Sequence, residues 1–211
     1  MSKITVDTIE PSTGTTVTLG GSGDTLSVPS GVTLNVASGA TISNAGTQSG
    51  FGKVLQVVST TKTDVFSASP ASLPTTVDVT GLSVNITPSS TSNKVLVFYN
   101  VYTSCASGVS ISVSVILDRS GTNIAVGDSV SNHSQVTTYA ASMQSTDGGS
   151  VSIHTMNYLD SPASTSALTY KIKLGGFSSN TIYVNRTGRD NDLASYDLRF
   201  VSTITAMEIA G

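Results

Sequence analysis

Apolar and polar positions alternate along most of this chain, with the period of two that places successive side chains on opposite faces of a β-strand. The clearest case is Val95, Val97, Tyr99 and Val101, followed by Ile111, Val113, Val115 and Leu117 with Ser110, Ser112 and Ser114 between them. Val95 to Leu117 lacks charge for longer than a membrane span requires, but the interleaved polar groups fit two strands and not a spanning helix. Similar runs recur from residue 53 onward: 53–59, 63–68, 82–87, 94–102, 109–118, 123–129, 136–145, 150–159, 167–174, 180–186 and 198–209. Turn chemistry separates them, as at Ser120-Gly121, Asp147-Gly-Gly149 and Gly175-Gly176. About ten short strands without helical spacing predict an all-β fold, an antiparallel β-sandwich of the jelly-roll kind.

Before residue 51 the pattern thins into a repeat. Leu26-Ser-Val-Pro-Ser-Gly-Val-Thr33 is followed by Leu34-Asn-Val-Ala-Ser-Gly-Ala-Thr41, and a third block starts at Ile42-Ser and decays. In each octad the first, third and seventh positions are apolar, and a Ser-Gly pair sits where a turn is expected. Each unit therefore reads as a short strand, a turn and a return. Two or three apolar side chains per octad bury too little to offset about 1–2 kcal/mol of backbone entropy per residue. Several chains side by side could close such rows on a shared axis, which small uncharged residues suit because buried charge is costly. The axis positions are Leu26, Val28, Leu34, Val36 and Ile42. The boundary falls at Gly50-Phe51-Gly52, giving a repetitive β stem over 1–50 and a sandwich head over 51–211.

Composition narrows the class. Charged residues are only 11% of the 211, the hydrophobic share is 38%, and tryptophan is absent. Disorder pairs low hydrophobicity with high net charge, and the net charge here is −3. That balance also excludes a binder of the phosphate backbone, which needs a basic patch, so no nucleic acid is expected. The opening MSKITVDTIEPSTG has no secretory leader pattern, and no membrane insertion is expected. Cys105 is the single cysteine, read as a small side chain packed in or beside a strand.

No catalytic motif is present: there is no G-x-S-x-G elbow, Walker loop or H-E-x-x-H. No catalytic, cofactor-binding or metal-ligating residue is assigned, and no cofactor is expected. His154 lies in an alternating strand, where packing or solvent exposure is the default. The densest charge cluster is Arg186-Thr-Gly-Arg189-Asp190-Asn-Asp192. Its Asp-Asn-Asp run offers oxygens of the kind calcium takes but lacks the spacing of a calcium loop, so ion pairs are the expected role. Arg186, Arg189, Asp190 and Asp192 are the candidates for surface recognition.

The opening MSKITVDTIEPSTGTTVTL, the octads LSVPSGVTLNVASGAT, the junction GFGKVLQVVST and the ending STITAMEIAG, taken in that order, resemble virion fibre or appendage proteins of tailed bacteriophages, especially those of marine bacteria. The resemblance spans essentially the whole chain. It implies a homotrimer placed in the virion after assembly in the bacterial cytoplasm. Residues 1–50 would attach to other virion proteins, and the head would resemble trimeric jelly rolls of the C1q and tumour-necrosis-factor type. A short tail fibre or spike contacting a host-surface glycan or protein is the leading expectation, with a capsid-bound head fibre or decoration protein as its near relative. A carbohydrate-binding adhesin is the alternative class, for which Tyr99, Tyr102, Tyr139, Tyr158, Tyr183 and Tyr196 would supply stacking faces. A depolymerase would need paired carboxylates in a groove, and the head's few acids are scattered. An enzyme is not expected.

Overall fold

The computed structural model describes residues 9–11, 13–33, 35–38, 40, 53–106, 110–144, 148–177 and 180–211. The chain divides into two compact units, Met1–Ser49 and Gly50–Gly211. Among the described residues no helix is long and apolar enough to cross a membrane.

The second unit holds β1 (Val54–Lys62), β2 (Phe66–Ala68), β3 (Thr76–Ile86), β4 (Lys94–Cys105), β5 (Ser110–Arg119) and β6 (Thr122–Ile124). These are followed by β7 (Thr138–Gln144), β8 (Val151–Asp160), β9 (Leu168–Gly175), β10 (Ile182–Val184) and β11 (Ser202–Ile209). One sheet runs β1-β11-β4-β10-β2, with β8 on the other side of β4; the second runs β3-β9-β5-β6, with β7 also on β5. Every pairing between these strands is antiparallel. The fold is thus an all-β antiparallel sandwich.

The alternation read from the sequence sets the inward faces. Val95, Val97, Tyr99 and Val101 of β4 are buried, as are Val113, Val115 and Leu117 of β5 and Tyr170, Ile172 and Leu174 of β9. They meet in one apolar cluster between the sheets. Each such side chain contributes roughly 1.5–3 kcal/mol when buried.

The two strands read within Val95–Leu117 are β4 and β5. The two largest differences from the pattern-based boundaries are at β3 and β6. The first half of β3, from Thr76 to Gly81, lies outside the expected 82–87 run, although Val77 and Val79 alternate there with Thr76, Asp78 and Thr80 and Val79 is buried in the core. The expected strand over 123–129 stops at Ile124, where Ala125 turns to φ +52° and leaves the ladder.

Buried polar groups fasten the sandwich ends. Asp160 on β8 accepts both hydrogen bonds of Arg119 Nη1 at 2.8 Å and one from the Tyr170 hydroxyl at 2.6 Å, tying β8 to β5 and β9. Burial and Asp160 together push the Tyr170 hydroxyl up from its usual range. Glu208 on β11 accepts from Ser89 N, Ser89 Oγ and Asn93 Nδ2 at 2.6–2.7 Å, pinning the β3–β4 connection. Burial alone would raise the Glu208 carboxyl, but these donors outweigh it and hold it below the usual range. Asn185, at φ +65°, donates to the carbonyls of Lys62 and Asp64 and accepts from Ser202 Oγ at 2.6 Å. That one buried amide joins the connections after β1, after β10 and before β11.

Candidate attachment and recognition sites

Within the first unit the octads carry turns at the expected places. Val32 N donates to Pro29 O at 3.2 Å, and Ala40 N donates to Ala37 O at 3.0 Å, the same two positions of successive octads. A third turn precedes them: Asp24 N donates to Gly21 O at 3.2 Å. The turns begin at Gly21, Pro29 and Ala37, eight residues apart, and each is centred on a Ser-Gly pair. Gly23 and Gly31 take φ +88° and +83°, the left-handed conformation that glycine enters without a steric cost. Asp24 closes its turn further by accepting Gly21 N at 2.7 Å. The array therefore starts one octad earlier than the apolar pattern indicated. Its first member, 18–25, has Thr18 and Gly20 in place of the Leu-x-Val pair, so only the Ser-Gly spacing could have revealed it.

The expected strands flanking these turns are not formed among the described residues of this unit. A single chain supplies no partner edge, and a ladder needs one. Leu26, Val28 and Val36 are exposed, Leu26 at 69%. Leu34 and Ile42, the other two proposed axis residues, lie outside the described set.

The charged cluster lies on the connection between β10 and β11. Arg186 Nη1 reaches Asp190 Oδ2 at 2.9 Å, Arg199 Nη2 reaches Asp190 Oδ1 at 2.7 Å, and Arg189 Nε lies 3.3 Å from Asp197 Oδ1. The guanidinium of Arg186 covers the Tyr183 ring at 4.0 Å, and that of Arg189 covers Tyr196 at 4.6 Å. Gly188 N and Arg189 N both donate to Gly148 O, joining this connection to the one before β8. Arg186, Arg189 and Asp190 are thus ordered by partners within the chain. Arg199 and Asp197, two members of the network, were not singled out from the sequence because they follow the cluster by several residues.

Asp190, Asp192, Asp197 and Arg199 also border a recess of about 250 Å³. Glycoside hydrolysis needs one carboxyl whose pKa is raised so that it keeps a proton. Asp197 is moved the other way: Leu193 N foremost, then Asn191 N and Arg189, hold it below the usual range. Asp190 sits between two guanidiniums. The arrangement therefore suits a rigid, charged connection.

His154 and Cys105 are interior. His154 on β8 is 3% exposed, with Nε2 at 3.0 Å from Thr103 Oγ1 and Nδ1 at 3.2 Å from Thr138 Oγ1. Burial lowers its pKa to about 4. Cys105 is fully buried at the end of β4, and burial pushes its thiol up, away from nucleophilic character. The tyrosines do not form a common platform. Tyr99 is in the core, Tyr158 packs against it, and Tyr102 stacks on Phe200 at 5.0 Å. Tyr139 meets Phe177 edge-on at 6.5 Å on the other sheet.

No protein-family description matches this chain, and no curated protein matches it. Among solved structures it is similar to chains of infectious bursal disease virus. One is from the T13 viral particle, at 14% identity and a TM-score of 0.35, covering 80% of this chain and 41% of that one. Another is from the VP2 subviral particle, at 14% identity and a TM-score of 0.32, covering 80% and 43% respectively. The chain spans about two-fifths of the length of these structures.

Proposed function

We propose that this chain is a structural protein of a bacteriophage virion: a short trimeric tail fibre or spike, held on the particle by residues 1–50, with the sandwich facing outward. The observation that carries the reading is the array of turns eight residues apart in an almost uncharged segment whose described leucines and valines are exposed. Such a segment gains stability when copies lie side by side, because each then covers the other's apolar rows and supplies the missing backbone partners. The sandwich adds a self-contained core and a rigid charged connection, which suit presentation to an outside surface.

The test uses purified particles and the purified chain. Native mass spectrometry should give three copies, and antibodies raised against the sandwich should label particles at the tail. Residues 1–50 fused to an unrelated trimeric head should enter particles, whereas a 51–211 fragment should not. A stable monomer refutes the oligomeric part, and incorporation of the 51–211 fragment reverses the assignment of the two regions.

A further inference from the structure

We infer that the outward face of the β1-β11-β4-β8 layer is the surface through which sandwiches of neighbouring copies pack together. The inference rests on the oligomeric reading above but not on the location of the protein in a virion.

Because Val95, Val97, Tyr99 and Val101 point inward, the even-numbered residues of β4 point out. Strand register then places Val57, Met207, Leu96 and Leu159 in one apolar row across all four strands. Phe98 and Ile153 lie further along the same face. Val57, Leu159 and Ile153 are 55%, 47% and 59% exposed. Within these four strands the outward positions carry a single charge, Lys94, at the start of β4.

The opposite sheet is built differently. Its outward face carries Lys171 paired with Asp78 at 2.7 Å and Lys173 paired with Asp118 at 3.3 Å. The outward positions of one sheet therefore carry paired charges, and those of the other carry almost none. An uncharged, row-patterned face selects an uncharged partner, since a charged one would lose its hydration without compensation. A second copy of the same face, in a chain with so few charges, meets that demand.

The experiment labels thiols in the full-length chain. Asn157→Cys places a thiol in the middle of the face, and Asn85→Cys places one on the outward side of β3; both positions are exposed, and native Cys105 is fully buried and silent. In the assembled protein Asn157→Cys should react at least about tenfold more slowly with a maleimide than Asn85→Cys, because a packed interface excludes solvent. Adding Phe98→Lys should bring the two rates together while the β-sheet circular dichroism is kept. Equal rates in a chain that native mass spectrometry shows to be oligomeric overturn this inference and leave the oligomeric reading standing. Protection that persists in monomers after dilution also overturns it, because the chain's own first unit would then be the cover. A chain that is monomeric at every concentration overturns both.

Discussion

Acidifying the protein from pH 7 to pH 4.5 should remove a defined share of its stability through one side chain. His154 is wedged between the sheets, with the hydroxyls of Thr103 and Thr138 on its two ring nitrogens and Tyr99 reaching Thr138 at 3.3 Å. Those hydroxyls can turn to donate or accept, so a neutral ring is satisfied in either tautomer. None of these three neighbours carries a negative charge to compensate an imidazolium. Burial is accordingly the cause of its lowered pKa, from 6.5 to about 4. Between those two values the unfolded chain binds a proton that the folded chain refuses. The contribution of His154 is therefore fully present above about pH 6.5, falls as the pH drops, and levels off below about pH 4. At pH 4.5 the loss amounts to about 2.5 kcal/mol. Glu208, Asp64 and Asp197 have lowered pKa values, so their contributions are lost toward lower pH. Urea unfolding followed by circular dichroism at fixed protein concentration should show the midpoint falling by about 1 M between pH 7 and pH 4.5. His154→Gln keeps a donor and an acceptor without the titration, and its midpoint should be flat over the same range. A wild-type midpoint that does not move, or a His154→Gln variant that moves as much, would refute the reasoning.

Gly188→Ala should destabilise the sandwich by more than about 2 kcal/mol, since a methyl group there would overlap the Cys105 carbonyl, a backbone atom that cannot turn aside; thermal unfolding measures it. Arg119→Met should cost about 3–5 kcal/mol by leaving the Asp160 carboxylate buried, and Asp160→Asn added to it should recover part of the loss in the same unfolding assay. Leu26→Asp should expose the first unit to protease while the sandwich still melts normally. On a shared axis, like charges about 4 Å apart repel by about 4 kcal/mol per pair at an effective dielectric of 20. Unchanged protease resistance would place Leu26 away from the axis.

Much of the sandwich was legible because its signal is local. A strand buried on one side must alternate, so β4, β5 and β11 announce their inward faces residue by residue. The turn positions of the octads were legible for the same reason, since Ser-Gly pairs have few other uses. What the sequence concealed depends on distant partners. Nothing around Asn185 indicates that it will join three connections, because its acceptors lie more than a hundred positions away. The division of charge between the two outward faces was hidden as well. It appears only when the register sets Asp78 beside Lys173 and Asp118 beside Lys171 on one sheet, and Phe98 beside Asn157 on the other. The charged cluster after β10 was found by its density, but its closure by Asp197 and Arg199 required the folded connection.

The placement of β11 between β1 and β4 has a consequence for how the protein is made. Ser59 and Thr205, whose hydroxyls lie 2.8 Å apart, are separated by 146 positions, and β4 has no neighbour on that side along 94–100 until β11 arrives. While the ribosome is still short of residue 202, the inward faces of β1 and β4 cannot share a sheet, and Val95, Val97 and Ile86 wait partly uncovered. Long-range closures of this kind make folding slow and leave apolar surface open in the meantime. A chain interrupted anywhere before residue 202 should therefore be insoluble, and not merely shorter. In this chain, a strand near the end of the sequence decides whether everything synthesised before it in the sandwich was worth making.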